Sequence, residues 1–392
     1  MTRAIVLHDA ALADGTSDRL RTSVSLRIAD GAIAWIRPAE DADTTDAEVI
    51  DAGGAVIVPA LIDSHSHLTL QGGSHWIARG DDDAETLRAV ARDNAKRLVG
   101  AGILWARDVG APMKDGRPLS VAVRDELSGL PGQPYIRVAG TWIGTTGFPA
   151  LWITVDGAGL KDAALAQLDL GTDFVKVYMD GPGGSRDAPF SVADLRAAVE
   201  AVHARGARLT CHSGFLDGAR AAAEAGVDSI EHGFELDLDV ARTMERNDVT
   251  LVSTLSVFAS WETFARTTSI DRFAAPEGRE RIAQRKEAAY ASLALAKRAG
   301  VRIATGSDFG GGSVRAGHLA WEVELLVAAG LEPYEALAAA TRNGGALLGH
   351  DHAGRIEEGM PADLVLIHGD PLSDQRALWR VWAVYQRGVR VA

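Results

Sequence analysis

Apolar runs of strand length alternate with helical segments through the middle of the chain. Glycine or an acidic residue tends to close each run: VIVPALIDSH, ILWARDVG, YIRVAG, DFVKVYMDG, ARLTCHS, VDSIEHG, VTLVSTL and VRIATGSD. The clearest helix between them is SVADLRAAVEAVHARGA, where Ser191 is a suitable N-cap and Leu195 and Val199 fall on one face. Eight strand–helix units predict an α/β fold, a (β/α)8 TIM barrel, over residues 57–353.

The two ends of the chain have a different pattern. Residues 1–56 and 354–392 contain short apolar runs, broken near the N-terminus by Asp-Gly and Gly-Gly turn signals. We therefore predict a small β-sandwich-like domain built from both termini. For the middle of the chain an open doubly wound sheet is the alternative. No G-x-G-x-x-G motif follows an early strand, which disfavours a dinucleotide-binding fold.

Composition and charge narrow the function classes. A length of 392 residues fits one barrel of about 250 residues and a smaller unit. The formal net charge of −13 argues against nucleic acid or an anionic membrane as partner. No apolar run is long enough for a membrane helix, and the lone Cys211 excludes an internal disulfide. We expect a cytoplasmic protein with a small-molecule substrate, and a homo-oligomer stays open.

Side chains able to bind metals recur where the predicted strands end. They are His65 and His67 on the first strand, Lys176 on the fourth, His212 on the fifth, His232 on the sixth and Asp308 on the eighth. Chemistry in such barrels lies at the C-terminal ends of the strands. One histidine on an apolar strand is usually a hydrogen-bonded core residue, but four at equivalent ends favour a metal site.

Lys176 raises a separate question, because a charged ammonium beside a dication and imidazoles is repelled and desolvated. A neutral amine can add carbon dioxide and become an anionic carbamate, which can bridge two metals. The alternative is a lysine that extends to the barrel rim.

Several segments together resemble the amidohydrolase superfamily, in particular its imidazolonepropionase-like branch with metal-dependent Xaa-Pro dipeptidases. The segments are VPALIDSHSHL, DFVKVYMDG, AGVDSIEHG, GSDFG and GRIEEGMPADLVLIHGDPL, and the likeness covers nearly the whole chain. The resemblance implies a hydrolase with two divalent metal ions, usually zinc. In this interpretation His65, His67 and Asp308 hold one ion, His212 and His232 hold the other, and N6-carboxylated Lys176 bridges them.

The resemblance also implies a mechanism. A metal-bridging hydroxide attacks the carbon of an amide (C–N) bond, Asp308 moves the proton, and Tyr178 supports the oxyanion. Lys176 belongs to the catalytic set as the bridging group.

The expected substrate pocket departs from the pattern of peptidase-like relatives. After the third strand the chain reads TTGFPALW, where relatives tend to read GGHG, and Gly214 and Ala316 replace two further histidines. We therefore expect an aromatic pocket. Its predicted substrate contacts are Trp76, Trp142, Phe148, Trp152, Tyr178 and His318.

The expected substrate is a small amide such as a dipeptide, an N-acyl amino acid or an aryl amide. The alternatives are an ester, lactone or organophosphate hydrolase that uses the same site, a mononuclear deaminase, and a catalytically silent scaffold.

Overall fold

The structure is a computed structural model that describes residues 4–145, 151–182 and 185–392. Its strands are β1 (Ala4–Leu12), β2 (Arg21–Ala29), β3 (Ala32–Pro38), β4 (Ala47–Asp51), β5 (Ala55–Pro59), β6 (Leu61–Ser66), β7 (Ile103–Asp108), β8 (Met113–Lys114), β9 (Arg117–Pro118), β10 (Tyr135–Val138), β11 (Trp142–Gly144), β12 (Trp152–Thr154), β13 (Phe174–Tyr178), β14 (Arg208–Ser213), β15 (Ser229–His232), β16 (Thr250–Ser253), β17 (Ile303–Thr305), β18 (Leu364–His368), β19 (Val381–Gln386) and β20 (Val389–Arg390). Its helices are α1 (Trp76–Arg79), α2 (Ala84–Gly100), α3 (Leu119–Leu127), α4 (Gly157–Asp169), α5 (Val192–Ala204), α6 (Leu216–Ala225), α7 (Leu238–Arg246), α8 (Ser256–Phe264), α9 (Asp271–Ala274), α10 (Pro276–Ala299), α11 (Leu319–Ala328), α12 (Pro333–Ala339) and α13 (Arg342–Leu348).

Parallel strands form two sheets in the middle of the chain. One has the order β10-β7-β6, and the other has the order β12-β11-β13-β14-β15-β16-β17. Backbone hydrogen bonds connect the two sheets at both seams. The Asp308 N–H donates to the His65 carbonyl at 2.8 Å, and the Asp173 N–H donates to the Val138 carbonyl at 2.9 Å. The carboxyl ends of β6 and β17 are thereby held together.

Local sequence explains the helices and strands that carry the site. The Ser191 hydroxyl accepts a hydrogen bond from the Asp194 N–H at 3.1 Å, so the predicted N-cap of α5 is confirmed. Strand β13 is apolar and almost entirely buried. Side chains alternate along a strand, so Lys176 and Tyr178 project to one side and Val177 to the other.

Strands from both ends of the chain share one eight-stranded sheet. Its order is β20-β19-β18-β5-β1-β2-β3, and β4 pairs with β1. Strand β18 runs antiparallel to β5, with Leu364 opposite Pro59. A separate apolar cluster includes Leu7, Ile57 and Tyr385. The division into residues 1–56 plus 354–392 and residues 57–353 stays a prediction.

None of the helices in the described ranges is both long enough and apolar enough to cross a bilayer.

Candidate active site

The carboxyl ends of the parallel strands surround a cavity of about 610 Å³. It is lined by His65, His67, Trp76, Trp142, Trp152, Lys176, Tyr178, Asp180, Gly181, His212, Phe215, His232, Phe234, Val257, Trp261, Arg272, Arg285, Asp308, Gly311 and Gly312. All six predicted metal ligands therefore lie at one cavity, together with Tyr178 and three of the predicted tryptophans.

The other two predicted substrate contacts are Phe148 and His318. Phe148 lies outside the described residues. His318 immediately precedes α11, where its ring lies 5.3 Å from that of Trp379 and its Nδ1 lies 3.0 Å from the Arg315 carbonyl. The structure therefore places His318 away from the predicted pocket, because the chain has already turned toward α11 at this point.

Three buried side chains form a compact cluster of metal-binding atoms. One ligand atom each from His65, His232 and Asp308 lies within 4.8 Å of the others. Asp308 Oδ1 is 3.3 Å from His65 Nε2 and 3.4 Å from His67 Nε2. Within the described ranges this cluster could hold a metal ion.

Three imidazoles in the cavity each form a hydrogen bond through Nδ1. Every Nδ1 has a hydrogen-bond partner at 2.7 Å: Glu231 Oε2 for His65, the Gly110 carbonyl for His67 and Thr254 Oγ1 for His232. An Nδ1–H that donates leaves Nε2 unprotonated, which is the form that binds a metal. A carboxylate and a carbonyl can only accept, so the Nδ1 atoms of His65 and His67 carry the proton. The Thr254 hydroxyl orients the His232 ring but can either donate or accept.

Glycines allow the chain to pass close to these imidazoles. A Cβ at Gly306 would lie 2.2 Å from the His65 Cβ, and a Cβ at Gly311 would lie 2.0 Å from the His67 Cδ2. Two members of the cluster also have left-handed backbone conformations, with φ of 73° at His232 and 50° at Asp308. Non-glycine residues adopt this conformation at a cost, and such strain concentrates at functional sites.

Charges in the cavity suit metal binding. Burial, together with the neighbouring histidines, lowers the pKa of His232 well below its usual value, so the ring is neutral. Burial alone would raise the pKa of Asp308, but His65, His67 and His232 outweigh it and hold that pKa well below the ordinary range. The result is a carboxylate beside the neutral imidazole of His232.

Lys176 lies among these groups, and its side chain is almost fully buried. In the part of the chain that the structure describes, its ammonium has no hydrogen-bond or ion-pair partner. Burial lowers the pKa of Lys176 to about 8, although the carboxylates of Glu231 and Asp308 oppose the shift. The neutral, nucleophilic form of the amine is therefore more populated near neutral pH than in an exposed lysine.

His212 occupies the cavity wall with different neighbours. Its ring stacks on that of Tyr178, with centroids 3.8 Å apart and an interplanar angle of 10°. Its Nε2 is 3.1 Å from Asp180 Oδ2, and burial lowers its pKa. The assignment of His212 as a metal ligand stays a prediction.

Aromatic side chains form one wall of the cavity. The Trp142 Nε1–H donates to the Val109 carbonyl at 2.8 Å, and its ring meets that of His67 edge-on at 5.3 Å. The ring of Trp152 lies 5.9 Å from Trp142 and 4.6 Å from Tyr178. The expectation of an aromatic pocket therefore holds for the described part of this wall.

Sequence reasoning missed several lining residues. Asp180 has the same strand parity as Tyr178, a signal that could have identified it. Arg272 and Arg285 come from α9 and α10, where charged residues are frequent and no local pattern distinguishes them. The other missed residues are Gly181, Phe215, Phe234, Val257, Trp261, Gly311 and Gly312.

Comparisons with known proteins extend these observations. The model of the Amidohydrolase family matches residues 56–391. An uncharacterised protein of Mycobacterium tuberculosis is 31% identical over 396 residues, which cover 99% of this chain and 96% of the relative. The imidazolonepropionase of Symbiobacterium thermophilum is 27% identical over 388 residues, covering 88% of this chain and 83% of that enzyme.

A solved structure shows the same architecture. It is a Xaa-Pro dipeptidase with bound methionine in its active site, and it superimposes with a TM-score of 0.85 at 24% identity. The match covers 99% of both chains. With the parallel sheets described above, it confirms a TIM-barrel-like α/β fold.

Proposed function

The chain belongs to the amidohydrolase family, hydrolytic enzymes that act on carbon–nitrogen bonds, and from this premise we propose a binuclear metal-dependent amide hydrolase. Its substrate is a small molecule such as a dipeptide, an N-acyl amino acid or an aryl amide. The observation that carries the proposal is the set of three imidazoles, each anchored through Nδ1, beside the ionised Asp308. Such preset rings are typical of metal ligands.

The donor set fits divalent transition-metal ions, because imidazole and carboxylate ligands suit zinc and its neighbours. His65, His67 and Asp308 would hold one ion, and His212 and His232 would hold the other. Carboxylated Lys176 would bridge the two. When bound, the ions would supply Lewis-acid activation of the substrate carbonyl and of the attacking water.

The chain's own residues supply proton transfer and positioning. Asp308 is ionised and lies beside His65 and His67, so it can accept a proton from the attacking water and deliver it to the leaving nitrogen. Burial raises the pKa of Tyr178, so its phenol stays protonated and can donate a hydrogen bond to the developing oxyanion. The tryptophan wall excludes water and binds the apolar part of the substrate.

Carboxylation of Lys176 follows from its surroundings. The neutral amine attacks carbon dioxide, a nitrogen–carbon bond forms, and one proton leaves. The product is an anionic carbamate in place of a buried ammonium without a partner. Because two cations beside it would favour an anion, carboxylation and binuclear metal binding support each other.

The first experiment measures metal content and modification together. We expect two metal ions per chain and an intact-protein mass increased by one carbon dioxide. Lys176→Gln should lose the mass increment, at least one metal ion and amide hydrolysis. Lys161→Gln, an exposed change on α4, is the matched control and should keep all three. One metal ion and an unmodified Lys176 in the wild-type protein would contradict the binuclear proposal.

A substrate panel tests the bond type. Chelation should abolish amide hydrolysis, and added zinc should restore it. Faster turnover of matched esters, lactones or organophosphates than of any amide would favour a different hydrolase with the same site.

One observation favours a mononuclear deaminase as the second candidate. The Nε2 of His212 faces Asp180 at 3.1 Å, whereas His65, His232 and Asp308 cluster without it. This candidate requires one metal ion per chain, unmodified Lys176 and release of ammonia.

The same premise extends to the architecture. We propose that the two parallel sheets close into one (β/α)8 barrel through their hydrogen-bonded seams. The sheet shared by both termini would then form a small separate β domain.

A further inference from the structure

Two arginines line the cavity on the side formed by α9 and α10. Arg272 is exposed at the cavity mouth, and Arg285 is half-buried. Both follow β16, whereas Trp142 and Trp152 belong to β11 and β12. Strands β13, β14 and β15 lie between β11 and β16 in the sheet. The two arginines therefore lie three strands away from Trp142 and Trp152, and the rings of Phe215 and Phe234 line the cavity beside Arg285.

Aromatic rings hold both guanidinium groups. The Cζ of Arg272 lies 4.4 Å from the ring centroid of Phe273. The Cζ of Arg285 lies 5.4 Å from the ring of Phe215 and 5.7 Å from that of Phe234. Stacking fixes the plane of a guanidinium while its N–H edges stay available for an anion.

Neither arginine is paired with a carboxylate of the described residues, although the charge of Arg285 contributes to the lowered pKa of Asp180. Within residues 4–145, 151–182 and 185–392, neither guanidinium forms a hydrogen bond or a salt bridge. The nearby Asp180 already has other donors, because one oxygen accepts from the Gly214 N–H at 2.8 Å and the other lies 3.1 Å from His212 Nε2. The N–H groups of both guanidinium groups therefore have no protein acceptor among the described residues.

We infer that Arg272 and Arg285 form the subsite for a substrate carboxylate, so that the substrate is an N-acyl amino acid with an aromatic or bulky apolar part. A guanidinium matches a carboxylate in both charge and planar geometry. The carboxylate binds at α9 and α10, and the apolar part contacts the tryptophans. A neutral aryl amide would leave both cations unused.

A free dipeptide fits less well than an N-acylated amino acid. Its ammonium needs an acidic partner, but it would compete for Asp180 with the Gly214 N–H and His212, and Trp142 and Trp152 offer no carboxylate. This inference rests on the proposed amide hydrolase function and narrows it to one substrate class.

Turnover of two matched amides tests the subsite. The probes are N-benzoyl-L-phenylalanine and its carboxamide, with benzoate release as the measurement, because both share the benzoyl amide bond. Wild-type enzyme should prefer the acid, and Arg285→Gln or Arg272→Gln should each lower this preference about 10- to 100-fold, mainly through KM. Arg285→Lys should give an intermediate loss, because it keeps the charge but not the planar fork.

The matched control is Arg281→Gln, which removes the same charge from an exposed position on the same helix. It should keep the preference of the wild type. An equal loss in Arg281→Gln would overturn the subsite in favour of a long-range effect of net charge. Equal turnover of acid and carboxamide by the wild type would overturn it as well.

A binding measurement separates the subsite from the catalytic proposal. N-benzenesulfonyl-L-phenylalanine and its carboxamide lack the benzoyl amide bond, and calorimetry gives their affinities without benzoate release. Tighter binding of the acid that is lost in Arg285→Gln supports the subsite, whether or not any amide is hydrolysed. If no amide is hydrolysed, only the proposed hydrolase function fails. Equal affinities for the two sulfonamides refute the subsite whatever the turnover shows.

Discussion

Glu231 connects the candidate metal centre to the stability of the protein interior. Its side chain is fully buried and accepts hydrogen bonds from His65 Nδ1 and Arg107 Nη1, both at 2.7 Å. Thr210 Oγ1 donates to it at 2.5 Å. Burial would raise the pKa of Glu231, but Arg107 and His65 outweigh burial and hold that pKa well below its usual value. The carboxylate is therefore charged and paired on both sides.

We predict two separable effects for Glu231→Met, which keeps an unbranched side chain but removes every acceptor. Arg107 becomes a buried cation without its partner, so the free energy of unfolding should fall by about 3–5 kcal/mol. His65 loses the acceptor that fixes its tautomer, so metal affinity should fall by about 10- to 100-fold.

Urea unfolding followed by tryptophan fluorescence measures the first effect, in excess chelator so that bound metal does not contribute. Competition with a chromophoric chelator measures the second. Asp169→Asn is the control for the loss of an ion pair, because Asp169 meets Arg205 at a similar distance of 2.9 Å but on the surface. That variant should change stability by less than about 1 kcal/mol.

The double variant Arg107→Met/Glu231→Met decides whether the reasoning is right. With both charges removed, most of the lost stability should return, while metal affinity should stay low because His65 still lacks its acceptor. A double variant no more stable than Glu231→Met would refute the argument from an uncompensated arginine. Unchanged metal affinity in Glu231→Met would refute the positioning of His65.

Two further predictions use other parts of the structure. Gly311→Ala places a methyl group 2.0 Å from the ring of His67, so the metal content should fall while the far-ultraviolet circular dichroism spectrum stays native. Gly100→Ala is the control, because a Cβ at Gly100 has open space around it, and this variant should keep its metal. Burial, with Arg137 nearby, lowers the pKa of His350 from 6.5, so the unfolded chain binds this proton more readily. The contribution of His350 to stability should therefore be present above pH 6.5 and be lost as pH falls through its lower native pKa, and His350→Gln should flatten this part of the stability–pH curve. An unchanged slope in His350→Gln would contradict that assignment.

The periodicity of the chain predicted much of the site. Side chains on a strand alternate, and parallel strands of one sheet end at the same edge, so strand-end residues must converge. For this reason the six residues that the pattern singled out lie at one cavity: His65, His67, Lys176, His212, His232 and Asp308. The predicted tryptophans reached the same cavity because they lie close to strand ends.

Other parts of the site could not be predicted from local patterns. Arg272 and Arg285 lie far from any strand end in sequence, and α9 and α10 bring them to the cavity only through packing. His318 shows the opposite case, because it lies close to the predicted strand end while the chain turns its ring toward Trp379. Distance along the chain is a poor guide where loops and helices determine the path.

The sequence by itself determined which chemical groups lie at the strand ends, because a period of two fixes where each side chain of a strand points. Only the tertiary structure decided which ring nitrogen of each histidine faces the cluster and how far the pKa of Lys176 is lowered. The Nδ1 partners of His65, His67 and His232 come from other strands or loops, and they select the ring nitrogen that faces the cluster. The burial that lowers the pKa of Lys176 arises in the same way, since desolvation depends on every neighbouring element at once.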